Sequence, residues 1–284
     1  MPIIEASGLS KSYGALHALE DVSFTVQPGR IVGLIGRNGA GKTTALKAIL
    51  GLTSYQGRLR VLDLDPATQR NALMNEVCFI ADTAVLPRWL RVRDAIDYVA
   101  GVHPRFNRQL AEDFLARGSI ERGSRIGQLS KGMITQLHLA LILAIDARLL
   151  VLDEPTLGLD LLYRRRFYDT LLNDYFDKQR TILLTTHQVE EVENLLTDVM
   201  FIDGGKLLLD APVEEIARRY TQVQVRADAL ERARALQPFY ERELFGRHVM
   251  LFKRAPDAEL TALGETGAPS VADLFVALMQ GEAP

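Results

Sequence analysis

The sequence has one cysteine among 284 residues. A lone thiol closes no internal disulfide, and its surroundings, "EVCFIAD", read as a buried strand, so Cys78 is expected in a core kept in a reducing compartment. Excess charge of either sign is also missing. A formal net charge of −3 and an isoelectric point near 6.0 give no general pull toward nucleic acid or anionic lipid, and no nucleic-acid partner is expected. The opening "MPIIEASGLS" lacks a basic segment followed by an apolar stretch, the pattern of an export signal. The most apolar stretch, "LHLALILAIDARLLVLD", is broken by Asp146 and Arg148 and falls short of the roughly 18 residues of a spanning helix. Any connection to a membrane is therefore expected to run through a partner. No internal repeat or low-complexity tract is seen.

What is present is a 48% hydrophobic chain able to bury one large core or two moderate ones, a main domain with an appendage. Alternating apolar residues over 3–9 and 19–26, separated by "KSYGALHA", suggest antiparallel strands with tight turns. "IVGLI" reads as a short buried strand, followed by a glycine loop and by "KTTALKAIL", whose Ala45, Leu46, Ile49 and Leu50 recur at helical spacing. From about 87 to 145 the pattern is mostly helical, a helical insertion. Strand character returns at "RLLVLDEP", "TILLTTH" and "DVMFIDGGKLLLD", the last a hairpin around Gly204 and Gly205. Alternation of β and α implies a mostly parallel sheet. Residues 1–217 are expected to form the main domain and 218–284 a small α+β accessory domain.

"GRNGAGKTT" fits G-x-x-x-x-G-K-[ST] after a strand and before a helix. Such a loop turns successive backbone N–H groups of Gly36, Arg37, Asn38, Gly39, Ala40 and Gly41 toward phosphate oxygens. Lys42 can reach the β and γ phosphates, Thr43 can ligate Mg²⁺, and Thr44 opens the helix behind them. The two carboxylates closing "LLVLDEP" sit at the carboxyl edge of a parallel strand, where ligands of open α/β sheets bind. Asp153 is the expected Mg²⁺ partner and Glu154 the group that orients or deprotonates an attacking water, with Pro155 biasing Glu154 toward extended backbone. His187, at the end of "LLTTH", is placed to contact a γ-phosphate. "LSKGM" offers a serine and a glycine at a helix start. The run "RRR" at 164–166 reads as a helix surface.

Together "GRNGAGKTT", "LSKGM", "LLVLDEP", "LGLD" and "TTH" fall in the order and approximate spacing of an ABC-type ATPase, and the chain resembles the nucleotide-binding subunit of an ABC transporter over about residues 3–217. The resemblance implies a P-loop NTPase fold of α/β class, with an antiparallel β subdomain and a helical subdomain. It implies ATP and Mg²⁺ as ligands and hydrolysis as the activity. "LSKGM" departs from L-S-G-G-Q at Lys131 and Met133 but keeps Ser130 and Gly132, which in the family contact ATP held by the opposite subunit; a homodimer is expected. Tyr13 matches the aromatic that stacks on adenine, and Asp160 the aspartate that communicates between the two sites. Asp82 falls where the family has a glutamine near Mg²⁺ and is carried over as a candidate metal ligand whose charge opposes the γ-phosphate.

The segment 82–105 falls where the family docks a separate integral membrane permease, which would hold the subunit at the cytoplasmic face of the cell membrane. Trp89 with Arg88, Arg91 and Arg93 forms either that contact or an ordinary solvated face. The segment "FIADTAVLPRWLRV" is similar to ATPases of bacterial ABC-2-like exporters. The alternatives are a soluble ABC ATPase acting on nucleic acid or ribosomes, and a regulatory nucleotide switch with little turnover.

Overall fold

The computed structural model describes residues 1–81, 86–118, 120–157, 160–177, 179–244, 246–253 and 257–280. The chain opens with β1 (Ile4–Tyr13), β2 (Leu16–Val26) and β3 (Ile31–Ile35), then α1 (Lys42–Ile49), β4 (Gln56–Val61), α2 (Arg70–Leu73) and β5 (Val77–Ile80). The helices α3 (Val92–Val102), α4 (Arg108–Arg117) and α5 (Lys131–Leu143) follow. Next come β6 (Leu149–Asp153), α6 (Leu161–Thr170), β7 (Thr181–Thr186), β8 (Asp198–Asp203), β9 (Lys206–Pro212) and α7 (Val213–Arg219). The last part holds β10 (Tyr220–Val225), α8 (Leu230–Ala235), β11 (Tyr240–Leu244), β12 (Arg247–Lys253), α9 (Asp257–Thr261), β13 (Gly264–Gly267) and α10 (Val271–Gln280).

The central sheet runs β5-β6-β7-β3-β8-β9, parallel except for the β8–β9 hairpin. Every residue of β3, β6 and β7 is buried, as expected of parallel strands covered on both faces. The period of two divides them between two cores. Val32, Leu34, Val151 and Leu183 face α1 and the antiparallel sheet β2-β1-β4, while Ile31, Ile35, Leu150 and Leu184 face α5, α6 and α10. Helix α5 is apolar nearly all round because it is covered on two sides. Leu139, Ile142 and Leu143 pack toward the sheet, and Leu137, Ala140 and Leu141 pack against Val92 and Ile96 of α3 and Leu115 of α4.

Three differences from the sequence reading have identifiable physical causes. Strands β1 and β2 continue through "KSYGALHA" to a two-residue turn at Gly14–Ala15, pairing Tyr13 with Leu16; Gly14 at φ 59 supplies the left-handed backbone this turn needs. That puts Tyr13 at the hairpin tip. Strand β4 was not anticipated, since only Leu59 and Val61 of "QGRLRV" are buried. Edge strands β11 and β13, "YEREL" and "GETG", carry no apolar alternation and join the sheet β11-β12-β10-β13 through backbone pairing. One face of that sheet is covered by α8 and α9 through Val223, Val225, Met250, Phe252, Ala233 and Leu260. Tyr220 and Leu251 instead join the large core, and α10 closes on it, with Phe275 edge-on to Phe201 at 5.3 Å.

Cys78 lies buried in β5, and burial pushes its thiol up to about 12. A neutral thiol with no access is a poor nucleophile. A thiol reagent at pH 8 should find no reactive cysteine in the folded protein and one after denaturation; labelling before denaturation would show that the Cys78 side chain is not buried.

Candidate functional site

Strands β3, β6 and β7 end at the same edge of the sheet, and a cleft of about 630 Å³ opens there. Its lining includes Tyr13, Arg37, Asn38, Gly39, Gly41, Lys42, Thr43, Thr44, Asp153, Glu154 and His187. The loop from Gly36 to Gly41 leaves β3 and delivers the chain into α1. Gly41 precedes the helix at φ 111, and a Cβ there would lie 2.4 Å from the Ala18 carbonyl oxygen. A Cβ on Gly36 would lie 2.4 Å from the Ile202 carbonyl oxygen. Only glycine allows so close an approach. No side chain caps the start of α1, so its first-turn N–H groups and positive dipole end face the cleft.

Lys42 is 6% exposed, and its Nζ donates to the Gly36 carbonyl at 2.7 Å. It also pairs with Glu154 Oε1 at 3.3 Å. Thr43 Oγ1 donates to Asp153 Oδ2 at 3.1 Å, and Thr185 Oγ1 donates to Asp153 Oδ1 at 2.6 Å. The β6–β7 register sets Asp153 beside Thr185. His187 Nδ1 lies 3.0 Å from Glu154 Oε2. The Glu154 carboxylate is thus held between Lys42 on one oxygen and His187 on the other.

The expected extended backbone at Glu154 is not what forms: its φ is 48, in the left-handed region. Pro155 disfavours the right-handed helical region and leaves both alternatives. The selection comes from β7, where Thr185 receives the Glu154 N–H through its hydroxyl at 3.1 Å and its carbonyl at 3.2 Å. A non-glycine residue held there costs on the order of 1–3 kcal/mol, and such strain gathers at functional sites. Thr185 was missed from the sequence, although two threonines closing the apolar run Ile182–Leu184 were a usable signal.

Tyr13 stands 47% exposed at the cleft mouth, with Lys11 Nζ 5.0 Å from its ring centroid. A hydrogen bond with Thr53, aided by the charges of Lys11 and Lys47, holds its phenol below the usual tyrosine value. Ser130 is the N-cap of α5 and accepts from the Met133 N–H at 3.2 Å; Asp160 is the N-cap of α6 and accepts from the Tyr163 N–H at 3.1 Å. Gly132 is buried against Tyr163, where a Cβ would lie 2.1 Å from the ring. Ser130, Gly132 and Asp160 are outside the lining of their own cleft. Asp82, and Gly158 and Leu159 of "LGLD", lie outside the described residues. Of the "RRR" run, Arg165 and Arg166 are exposed as expected, but Arg164 is half-buried and paired with Glu191.

The glycine cradle, the uncapped helix start and Lys42 suit a triphosphate, and the hydroxyl and carboxylate oxygens of Thr43 and Asp153 are the hard donors that suit Mg²⁺. No helix among the described residues is long and apolar enough to cross a membrane.

A family model described as ABC transporter matches residues 19–157. The Nod factor export ATP-binding protein I of Rhizobium johnstonii is 34% identical over 214 residues, 73% of this chain and 68% of that protein. The manganese transport system ATP-binding protein MntB of Halalkalibacterium halodurans is 30% identical over 233 residues, covering 76% and 88%. A solved structure of an ATP-binding subunit of an ABC transporter superposes with a TM-score of 0.67 at 27% identity, over 76% of this chain and 92% of that one. With a site built on the same sheet edge as its motifs require, the chain belongs to the ATP-binding subunits of ABC transporters, a family of ATPases.

Proposed function

We propose that this chain hydrolyses Mg·ATP in a face-to-face dimer and so powers a separate integral membrane permease. The observation that carries the reading is the placement of Glu154 between Lys42 Nζ and His187 Nδ1, at 3.3 and 3.0 Å. Phosphate oxygens are acceptors of the same kind as carboxylate oxygens and draw on the same two donors. Glu154 then orients the attacking water and takes its proton, while Lys42 and His187 stabilise the charge that gathers on the terminal phosphate. Thr43 and Asp153 hold Mg²⁺, which when bound neutralises phosphate charge. Gly36, Arg37, Asn38, Gly39, Ala40, Gly41 and Thr44 shape the cradle, and Tyr13 stacks on adenine. Asp82 is a further candidate for the metal.

Ser130 and Gly132 serve the nucleotide of the other protomer, with Asp160 between the two sites. Two features support a partner on that face. These residues do not line their own cleft, and Leu157, Leu161 and Leu162 nearby in sequence are 53, 77 and 58% exposed, apolar area of the kind a second protein covers. The permease docks on the helical subdomain of residues 87–145, where Trp89 is 74% exposed and Tyr98 68%. Arg88 and Arg91 instead donate to the carbonyls of Gly127 and Gly123 and brace the loop below. Docking there places the chain on the cytoplasmic face of the cell membrane. Export is the favoured direction, in line with the Nod factor export relative. Residues 1–217 act as the ATPase domain and 218–284 as an accessory domain.

Glu154→Gln keeps the hydrogen-bonding shape and removes the base. Turnover should fall by about 100-fold or more with nucleotide binding retained, and dimers should accumulate with ATP on a sizing column; undiminished hydrolysis would remove Glu154 from its role. Protomers carrying Ser130→Arg and protomers carrying Lys42→Ala should each be inactive alone and regain hydrolysis when mixed, since one mixed site is then whole. Absence of recovery would mean that each chain builds its site unaided. Trp89→Ala should weaken co-purification with the membrane subunit at unchanged basal ATPase, and an equally stable complex would move the docking site elsewhere.

A further inference from the structure

Helix α6 touches the segment that follows each of the two catalytic strand ends. Tyr168 Oη shares a hydrogen bond of 3.2 Å with Thr156 Oγ1, two residues beyond Glu154, and the pair is buried. One turn earlier, Arg164 Nη1 donates to Gln188 Oε1 at 2.7 Å and pairs with the Glu191 carboxylate. Gln188 directly follows His187, and its own N–H is held by Thr186 Oγ1 at 2.9 Å. The arginine and the glutamate are 18 and 21% exposed, so this is a largely desolvated ion pair and not a contact of two solvated side chains. The loop it grips is two short 3-10 turns, Val189–Glu191 and Glu193–Leu195, whose Val189 and Val192 are buried in the core, and Arg164 adds the polar tie on the side next to His187.

We propose that Arg164 is a positioning residue for hydrolysis: by fixing Gln188 and Glu191 it aims the His187 imidazole at Glu154 and at the phosphate cleft that both line. The inference rests on the roles given above to His187 and Glu154. A guanidinium suits this task because its planar fork serves an amide oxygen and a carboxylate from one rigid group, whereas an ammonium offers a single point of charge. Arg164 lies four residues after Asp160 and one after Tyr163, whose ring rests on Gly132. The same helix therefore touches the start of α5 and the histidine loop. Contact made by a second protomer at Asp160 has a path of packed atoms to His187.

The test uses the full-length protein. Arg164→Gln should lower kcat about tenfold or more while KM for ATP stays within about twofold, measured at a temperature where the variant is fully folded. Arg164→Lys should recover part of the loss, and Arg164→Glu with Glu191→Arg should exceed either single variant. In a His187→Ala background, Arg164→Gln should cost nothing further. Wild-type kcat in Arg164→Gln beside a depressed His187→Ala would overturn the tether alone. Undiminished turnover in His187→Ala would overturn the histidine role, and the tether with it. A loss from Arg164→Gln that persists in full without His187 would show that Arg164 acts elsewhere. Where Arg164→Gln fails to fold, Glu191→Gln with Gln188→Ala removes these two partners of Arg164 from the other side and carries the same expectations.

Discussion

The hydrogen bond from Thr185 to Asp153, 2.6 Å long and sealed from solvent, joins the two strands on which the chemistry depends. It holds one Asp153 oxygen, leaving the other for Thr43 at the head of α1, and the same hydroxyl receives the Glu154 N–H. Two strand ends and the head of α1 are thereby locked to one another by side chains as well as by the ladder. Parallel strands buried on both faces must end at a common edge, and there the backbone turns outward into loops. Lys42, Asp153, Glu154 and His187 meet because each follows directly on such a strand or on its loop.

Much of this was readable in advance, because the strands at issue are buried on both sides and appear as short apolar runs. The phosphate loop was readable for a different reason: its glycines, lysine and threonine fall in one contiguous pattern, even though the carbonyls that crowd Gly41 and Gly36 come from distant Ala18 and Ile202. What escaped notice depends on distant partners. Strand β13 has no apolar residue to betray it and exists because β10 offers it a backbone edge. The left-handed turn at Glu154 is chosen by a threonine 31 residues away. Arg164 sits in a run of three arginines that looks like a solvated face, and only the fold brings Glu191 to it.

The signature region shows how one glycine can have two uses. A glycine in the first turn of α5 suggests room for a close ligand, and the same absence of a side chain admits the Tyr163 ring. Ser130 and Asp160 both cap helices by accepting an N–H three residues on. Each cap stabilises its helix by about 1 kcal/mol, and each leaves the polar end of that helix at the surface. A helix start that is already capped, yet sits beside exposed leucines, is satisfied within the monomer and still able to meet an anion from outside.

The charges at the sheet edge favour a composite ligand. Asp153 is 3% exposed and Glu154 follows it, while Lys42 is the buried cation beside them. Two carboxylates against one ammonium leave negative charge in a poorly solvated place, which by itself repels a triphosphate. The uncapped start of α1 and the glycine loop supply the opposite field a few residues away. A cation bound to the carboxylates and an anion bound to the loop each make the other's site more favourable, so metal and nucleotide gain most by arriving as one species. That mutual dependence also accounts for the hydroxyl of Thr43, which stands at the boundary between the two fields and already bonds to Asp153.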